Sequence, residues 1–272
     1  MQERWQQLAQ SPLIVPSAAA LVQLGTHCDA AAAVTVAALD ELDTALQAAP
    51  GAGGVAAWLH QAGSFGQRLD RLAVLRWVEL RMLQAPSAVS AAPGEVPAPA
   101  QGNKRPLRPV EAALVRWAVR SDADVAVPVA MLEAMATPTE LGSRRTWIRP
   151  DLAYGGYLVD LPGTARTAPR TGRLPAWVAR HLDGRMDELG MAALPLLYTG
   201  RAREETKISC AVHMRISKAL RRCGMADDAF VDPASIRLTA AQQVRDRAGL
   251  PAAAAAMGAR NLERVRGLLA WQ

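Results

Sequence analysis

The sequence has 272 residues and half of them are apolar, so it can bury the core of one large domain or two ordinary ones, which excludes disorder as the default. Alanine is the commonest apolar residue and aromatic residues make up only 4%, a composition that favours closely packed helices over an aromatic-rich β-sandwich. The net charge of +6 is uneven, because residues 1–100 hold five Lys or Arg against eight Asp or Glu, whereas residues 101–272 hold 26 against 17.

The basic residues are unusual in kind, because only Lys104, Lys207 and Lys218 are lysines and the other 28 are arginines. Arginine suits forked contacts with phosphate, although a GC-rich genome would also favour arginine codons. Codon bias does not explain why the cations gather after residue 100. The asymmetry therefore predicts a polyanionic partner, and we favour nucleic acid over a membrane, since no segment forms an apolar anchoring face.

The N-terminal residues lack the basic and then apolar segments of a signal peptide, and no run reaches the roughly 18 apolar residues of a membrane span. We therefore expect a soluble, cytoplasmic protein. Cys28, Cys210 and Cys223 are odd in number and widely spaced, which is not typical of a disulfide framework.

Residues 1–85 are expected to form a helical domain of about four helices, because apolar residues recur there at helical spacing, as at Leu69, Leu72 and Leu75. Residues 86–108 follow as a linker. Pro, Ala, Gly and Ser dominate this segment, so burial would not offset the entropy lost on ordering it.

The second domain, residues 109–272, is expected to contain a small antiparallel sheet among its helices. Strands are predicted at 146–148 and 157–161, with a glycine pair as the turn signal between them. The segment 162–172 is rich in Gly, Thr, Pro and Arg and is expected to be a loop.

Helical spacing returns on both sides of this sheet, so the expected fold class is mostly α with a small antiparallel β-sheet. One helix has a clear start signal, with Asp232 as its N-cap and Pro233 at its first position. The predicted helices cover about 110–120, 128–136, 175–189, 206–223, 233–248 and 251–270.

The helix predicted at 206–223 has an apolar face formed by Ile216, Leu220 and Cys223 and a separate cationic face. A row of cations can follow a phosphate backbone, and a solvated surface helix is the alternative that stays open. Similar cations recur on the two later helices and around the first strand. They also occur in the loop at 162–172 and directly after it. The candidate DNA-contacting residues are Arg144, Arg145, Arg149, Arg166, Arg170, Arg173, Lys207, Arg215, Lys218, Arg222, Arg237, Arg245, Arg260 and Arg264.

The arginine-bearing loop at 162–172 has two interpretations at this point. It would either enter a DNA groove or close over phosphates, or it would be a mobile surface loop.

Evidence for metal or cofactor chemistry is weak. Cys210, His213 and Cys223 are three soft side chains without a fourth partner, and their spacing fits no common zinc module. The sequence contains no G-x-S-x-G, P-loop, dinucleotide-binding or H-E-x-x-H motif. We therefore expect neither a metal nor a cofactor.

The order of these elements resembles that of the tyrosine recombinase, or phage integrase, family. The most specific segments are Leu-Arg-Pro-Val-Glu at 107–111, Pro-Ala-Ser-Ile-Arg-Leu-Thr-Ala-Ala at 233–241 and Ala-Met-Gly-Ala at 256–259. The resemblance implies a core-binding domain and a catalytic domain that form a C-shaped clamp around double-stranded DNA.

The resemblance also assigns the family's six catalytic positions, of which one is retained as Arg237, in the position of the His-x-x-Arg arginine. No lysine occurs where the hairpin lysine is expected, and Arg166 is the only cation there. The other lost positions are Thr137 or its neighbour for the first arginine, Ala234 for the histidine, Ala259 for the later histidine or tryptophan, and Leu268 or its neighbour for the nucleophilic tyrosine.

Loss of these groups predicts binding without cleavage, because strand cleavage needs a hydroxyl nucleophile, cations at the phosphorane and a proton donor for the leaving oxygen. Arg237 alone can hold a phosphate, and Arg166 cannot act as an acid, because a guanidinium stays protonated. We therefore expect a DNA-binding regulator or accessory factor of a mobile element, acting with an active recombinase or by self-association.

Two alternatives stay open. One is an active, divergent recombinase that uses a displaced nucleophile such as Tyr198. The other is a helical interaction protein whose arginines only solvate its surface.

Overall fold

The computed structural model describes residues 37–38, 41–42, 44–45, 47–49, 52–82, 104–143, 145–189, 204–225 and 228–270. These residues are mostly helical and include one small three-stranded antiparallel sheet. The predicted fold class, mostly α with a small antiparallel sheet, is confirmed.

The chain divides into two compact units. The first contains the described residues before 98 together with Arg108–Trp117 and Arg222–Asp227, and the second contains the remaining described residues. The sequence interpretation put Arg108 in the linker and the rest of both added segments in the second domain, and its division at 85 and 109 stays a prediction.

The first unit is built around two helices, α1 (Ala52–His60) and α2 (Phe65–Met82). Trp58 and the predicted apolar positions Leu69, Leu72 and Leu75 are buried. Helical spacing alone therefore located this core, because it puts apolar side chains on one face.

The helices α3 (Pro109–Val119) and α4 (Ala123–Glu133) precede the sheet. Helix α4 begins five residues before its predicted start, because Asp122 is the N-cap and its side chain accepts from the Asp124 N–H. The predicted start at residue 128 was therefore wrong, since Pro128 lies inside the helix.

The sheet consists of β1 (Trp147–Pro150), β2 (Tyr157–Leu161) and β3 (Arg170–Arg173), in the order β1-β2-β3. The third strand lies largely inside the segment predicted to be a loop. Gly172 pairs with Val159, and a Cβ at Gly172 would lie 2.3 Å from the Ala134 carbonyl oxygen. Close approach to the end of α4 therefore explains the glycine in this strand.

Several helices of the second unit follow the sheet. Pro233 starts α7 (Pro233–Ala256) as predicted, and the predicted break between residues 248 and 251 is confirmed, because the backbone of Gly249 is not helical (φ +84°). The helix predicted at 251–270 is itself interrupted after Ala256, and a short final helix, α8 (Leu262–Leu268), follows. Leu238, Ala241 and Val265 belong to the core between α7 and α8. The elements are a 3₁₀ turn (Ala176–Val178), α5 (Ala179–Leu189), α6 (Glu205–Arg222), α7 (Pro233–Ala256) and α8 (Leu262–Leu268).

The predicted inward stripe of α6 is confirmed, since Ile216, Leu220 and Cys223 are all buried. Within the described ranges, no helix combines the length and the apolar character that crossing a membrane requires.

The start of α7 gives a test of the capping interaction. Asp232 accepts from the Ala234 N–H at 2.7 Å, and Ser235 Oγ accepts from the Asp232 N–H at 3.2 Å. We expect Asp232→Ala to lower the free energy of unfolding by about 1 kcal/mol, because it removes the side-chain oxygen that accepts from the Ala234 N–H in the first turn of α7. Asp232→Asn keeps an acceptor and should change it by only a few tenths of a kcal/mol, roughly. Urea denaturation followed by circular dichroism measures both, and equal losses would contradict the capping role.

Candidate functional site

A cavity of about 520 Å³ lies within the second unit, where the β2–β3 connection meets the start of α7 and the turn before α8. No acidic side chain occurs among the described residues that line it. The lining residues are Thr137, Pro138, Thr139, Thr164, Ala165, Arg166, Thr167, Arg237, Met257, Ala259, Arg260, Asn261, Arg264, Val265 and Leu268.

Five of the six positions assigned by the family resemblance line this one cavity: Thr137, Arg166, Arg237, Ala259 and Leu268. The sixth, Ala234, is half-buried in the first turn of α7 and is not among the lining residues. The lining residues thus come from segments up to 131 positions apart in the chain.

Arg237 is held in the cavity wall by two backbone carbonyls. Its Nε donates to the Met135 oxygen at 2.9 Å and its Nη2 donates to the Met257 oxygen at 2.7 Å. Its Nη1 has no hydrogen-bond partner among the described residues. One edge of the guanidinium is therefore fixed, and one donor group remains for a ligand.

The charge on Arg237 has no carboxylate in contact with it among the described residues. Burial lowers the pKa of Arg237 to about 10, the positive charges of Arg170 and Arg264 add to this effect, and Glu140 opposes it. The guanidinium remains protonated at neutral pH. An anion bound here would offset the repulsion among these cations.

A buried ion pair between Glu140 and Arg170 supports this wall. Nη1 and Nη2 of Arg170 donate to the two carboxylate oxygens at 3.0 and 2.9 Å, and the exposed fractions of the Glu140 and Arg170 side chains are 1% and 8%. Arg170 Nη2 also donates to the Met135 oxygen, the same atom that accepts from Arg237. The ion pair thus fixes the carbonyl that orients Arg237.

Glu140 also fixes two backbone segments that reach the cavity. Its Oε2 accepts from the Thr137 N–H at 2.7 Å and its Oε1 accepts from the Gly163 N–H at 3.0 Å. Burial by itself raises the pKa of Glu140, but the hydrogen bonds from Arg170 and Thr137 and the charge of Arg170 outweigh it, so the pKa lies below its usual value. The Glu140 carboxylate is therefore ionised at neutral pH, which is the form that accepts these hydrogen bonds.

The segment between β2 and β3 is attached to the turn that follows α7. Thr167 forms a β-bridge with Ala259, and the Ala168 N–H donates to the Gly258 oxygen at 2.8 Å. Gly258 has a φ of +65°, and a Cβ there would lie 2.8 Å from the Ala168 oxygen. These contacts favour a fixed cavity wall over a mobile surface loop.

Three arginines surround the cavity with their side chains exposed: Arg166, Arg260 and Arg264. None of the three side chains forms a hydrogen bond or an ion pair with a residue that the structure describes. Together with Arg237 they make the cavity strongly cationic.

Arg170 requires a correction. It was expected among the DNA-contacting arginines, but its guanidinium is buried and bonded to Glu140 and to two backbone oxygens, so it does not present a free surface to phosphate. Its place is in the support of the cavity wall.

The other predicted DNA-contacting cations lie outside the cavity lining. Five of them have partners in this structure: Arg149 with Asp160, Arg173 with Asp151, Lys207 with Glu204, Arg215 with Asp124, and Arg245 with Asp246 and the Leu269 oxygen.

Three more candidates, Arg145, Lys218 and Arg222, are exposed. Arg144 and Tyr198 lie outside the described residues. DNA contact by the surface cations stays a prediction.

The soft side chains considered for a metal site are not gathered in one place. Cys210 is exposed and Cys223 is buried, and burial raises the pKa of the Cys223 thiol to about 12. No cluster of three or more His, Cys, Asp or Glu side chains suitable for a metal ion occurs within the described ranges.

Sequence reasoning assigned no role to Glu140 or Asn261. Asn261 lines the cavity and caps α8, because its Oδ1 accepts from the Arg264 N–H. A signal for Glu140 was present, since it follows the lost arginine position Thr137 by three residues, but its partner Arg170 is 30 residues away and no local pattern links them.

No protein-family model matches this chain, and no curated protein sequence matches it. The crystal structure of XerA recombinase matches 93% of this chain and 93% of its own, with a TM-score of 0.49 and 13% sequence identity. A similarity this weak carries no argument, so the proposals below depend on the cavity and on the family resemblance of the sequence segments.

The buried ion pair gives a test of the wall. We expect Glu140→Gln to lower the free energy of unfolding by roughly 3–5 kcal/mol, because it leaves the Arg170 charge buried without a partner. The control Glu263→Gln removes an exposed carboxylate paired with Arg266 and should cost at most about 1 kcal/mol. Chemical denaturation at pH 7 measures both, and equal costs would contradict the role of Glu140.

The same carboxylate predicts a pH dependence. The folded-state pKa of Glu140 lies below the ordinary value of 4.5, so its contribution is fully present above about pH 4.5 and is lost as the pH falls through the folded-state pKa. The Glu140→Gln variant should lose less stability as the pH falls, because it has no carboxylate to protonate at this position. Denaturation curves from pH 7 to pH 3 check it, and parallel pH profiles for wild type and variant would contradict it.

Proposed function

We propose that the protein binds double-stranded DNA at this cationic cavity and does not cleave it. The observation that carries the proposal is the convergence of four arginines, Arg166, Arg237, Arg260 and Arg264, on one cavity without an acidic lining residue. This cavity also contains five of the positions that the resemblance to tyrosine recombinases assigns to catalysis.

The electrostatics favour a phosphate backbone as the ligand. A guanidinium donates several N–H groups in a plane, which matches the oxygens of a phosphate, and such charge-assisted bonds are stronger than neutral ones. Arg237 is held by backbone carbonyls, so little entropy is lost when it binds. The exposed arginines around it would contact neighbouring phosphates and position the duplex without reading its bases.

Cleavage is disfavoured by the residues at the assigned positions. No tyrosine occurs among the described lining residues, and Leu268 and Ala259 bring only hydrocarbon to the cavity. The Arg166 guanidinium provides a positive charge at the hairpin position, but it cannot donate a proton to a leaving oxygen. The arrangement thus supports phosphate binding and lacks the acid that departure of the leaving group requires.

The role in the cell follows from the resemblance alone. We propose a cytoplasmic regulator or accessory factor of a mobile element or recombination system, which works with an active recombinase or with further copies of itself.

Two exposed arginines give the test of DNA binding. The double variant Arg260→Gln with Arg264→Gln should weaken binding to duplex DNA by about tenfold or more at moderate salt, because it removes two phosphate contacts at no cost to packing. The control Arg266→Gln changes an arginine of α8, the helix that contains Arg264, but Arg266 does not line the cavity, so the control should have little effect. Gel-shift titration of the full chain measures both, and equal affinities would contradict the proposal.

A nicked duplex that traps a covalent intermediate tests the absence of cleavage. We expect no covalent protein–DNA product on a denaturing gel. A covalent band that disappears in Tyr198→Phe would instead support the active recombinase.

A further inference from the structure

Most of the exposed apolar side chains of the second unit lie on β1 and on the turn that follows it. Among the described residues, five large apolar side chains are exposed, and three of them are Trp147, Leu152 and Tyr154, with exposed fractions of 42%, 96% and 82%. Exposed apolar side chains are ordinary when they are scattered, but a group of them marks a surface that another molecule covers. This group lies outside the cavity described above.

The sheet beside this turn has one buried face and one open face. Ile148, Val159 and Leu161 point into the core and are at most 3% exposed. Because side chains alternate along a strand, the residues between them point to the opposite face, together with their partners on β3. We call this the outer sheet face, and its residues are Trp147, Arg149, Leu158, Asp160, Thr171 and Arg173. Four of the six are exposed and the other two are half-buried, so this face is open to solvent.

The turn between β1 and β2 is held against the outer sheet face. Asp151 Oδ1 accepts from the Ala153 and Tyr154 N–H groups at 3.1 and 3.2 Å. Arg173 donates to the Tyr154 and Gly155 oxygens, forms an ion pair with Asp151, and lies 5.4 Å from the centre of the Tyr154 ring. The backbone that carries the exposed side chains is therefore fixed, so little entropy is lost when a partner covers them.

The charges on the outer sheet face balance one another, unlike those of the cavity. Arg149 Nε and Thr171 Oγ1 donate to the two carboxylate oxygens of Asp160 at 2.9 and 2.6 Å. The other arginine of this face, Arg173, is paired with Asp151 at 3.2 Å. A balanced surface has little long-range attraction for a polyanion, whereas two copies of it do not repel each other.

We propose that the outer sheet face and the turn at 151–156 bind the same surface of a second copy of this chain. A two-fold axis brings identical surfaces together, so Arg149 of each copy can pair with Asp160 of the other. Tyr, Trp and Arg are the residues that most often dominate the affinity of protein interfaces. The inference rests on the self-association named in the proposed function, to which it assigns a surface, but it does not require DNA to be bound.

This interface leaves the cationic cavity open. No residue of the outer sheet face or of the turn lines the cavity. The turn precedes β2, whereas the connection that lines the cavity follows the other end of this strand. A dimer therefore has two free cavities, and a duplex long enough to reach both would bind with higher avidity.

Sedimentation velocity of the full chain over a range of micromolar concentrations tests the proposal. Wild type should dimerise, and the double variant Leu152→Ser with Tyr154→Ser should raise the dimer Kd by about tenfold or more, because it removes two apolar side chains from the interface. A wild type that stays monomeric throughout, or equal Kd values for wild type and the double variant, would overturn the proposal.

Met214→Ser is the matched control, because Met214 is also an exposed apolar residue, at 71%, but lies on α6 and outside the outer sheet face. It should leave the dimer Kd unchanged, and an equal loss in the control would overturn the proposal. Circular dichroism verifies that the variants are folded, which is expected because their changed side chains are exposed.

Gel shifts separate this inference from the proposed function. The double variant keeps every arginine of the cavity, so it should bind a duplex that is long enough for only one copy as tightly as wild type does. Weaker binding to this duplex with an unchanged dimer would show that DNA covers the outer sheet face, and would overturn the inference. Dimerisation through this face without any DNA binding would refute the proposed function and leave the interface in place.

Discussion

The buried ion pair between Glu140 and Arg170 is the interaction on which the candidate site depends. It joins the 3₁₀ turn after α4 (Glu140–Gly142) to β3, and through the Gly163 N–H it also holds the beginning of the β2–β3 connection. Arg170 shares the Met135 carbonyl with Arg237, so the position of Arg237 is set by an ion pair that does not itself line the cavity. A buried ion pair adds little to the free energy of unfolding compared with well-packed apolar residues, but removing one partner lowers that free energy strongly. Here the pair also fixes the Met135 carbonyl that orients Arg237.

The cavity that results combines unpaired cations with missing reactive groups. Most predicted DNA-contacting arginines elsewhere on the second unit have carboxylate partners, whereas the exposed arginines around the cavity have none among the described residues. Ala259 and Leu268, where the family resemblance implies reactive side chains, contribute space and hydrocarbon instead. The proposal of phosphate binding without cleavage rests on this combination of cations and hydrocarbon side chains.

Local signals in the sequence predicted the local parts of this structure. Asp232 and Pro233 marked the start of α7 because capping and a fixed proline φ act within a few residues. The start of α4 was misplaced at residue 128, since its N-cap Asp122 was not recognised as a start signal. Strand β3 was missed, since Arg-Thr-Gly-Arg lacks apolar alternation and is held by pairing with β2. The residues that line the cavity come from separate segments between Thr137 and Leu268. No periodicity in the sequence indicated that these segments lie together, and only the family resemblance suggested it.

The salt dependence of DNA affinity tests the central claim most directly. It should be measured by gel shift for wild type and for the triple variant Arg166→Gln, Arg260→Gln and Arg264→Gln. The account predicts that log affinity falls linearly with log salt for wild type, and that the slope is shallower in the variant by about 0.9 for each phosphate that it no longer neutralises. Equal slopes, or no binding by wild type at low salt, would contradict the claim that this cavity holds the phosphate backbone of DNA.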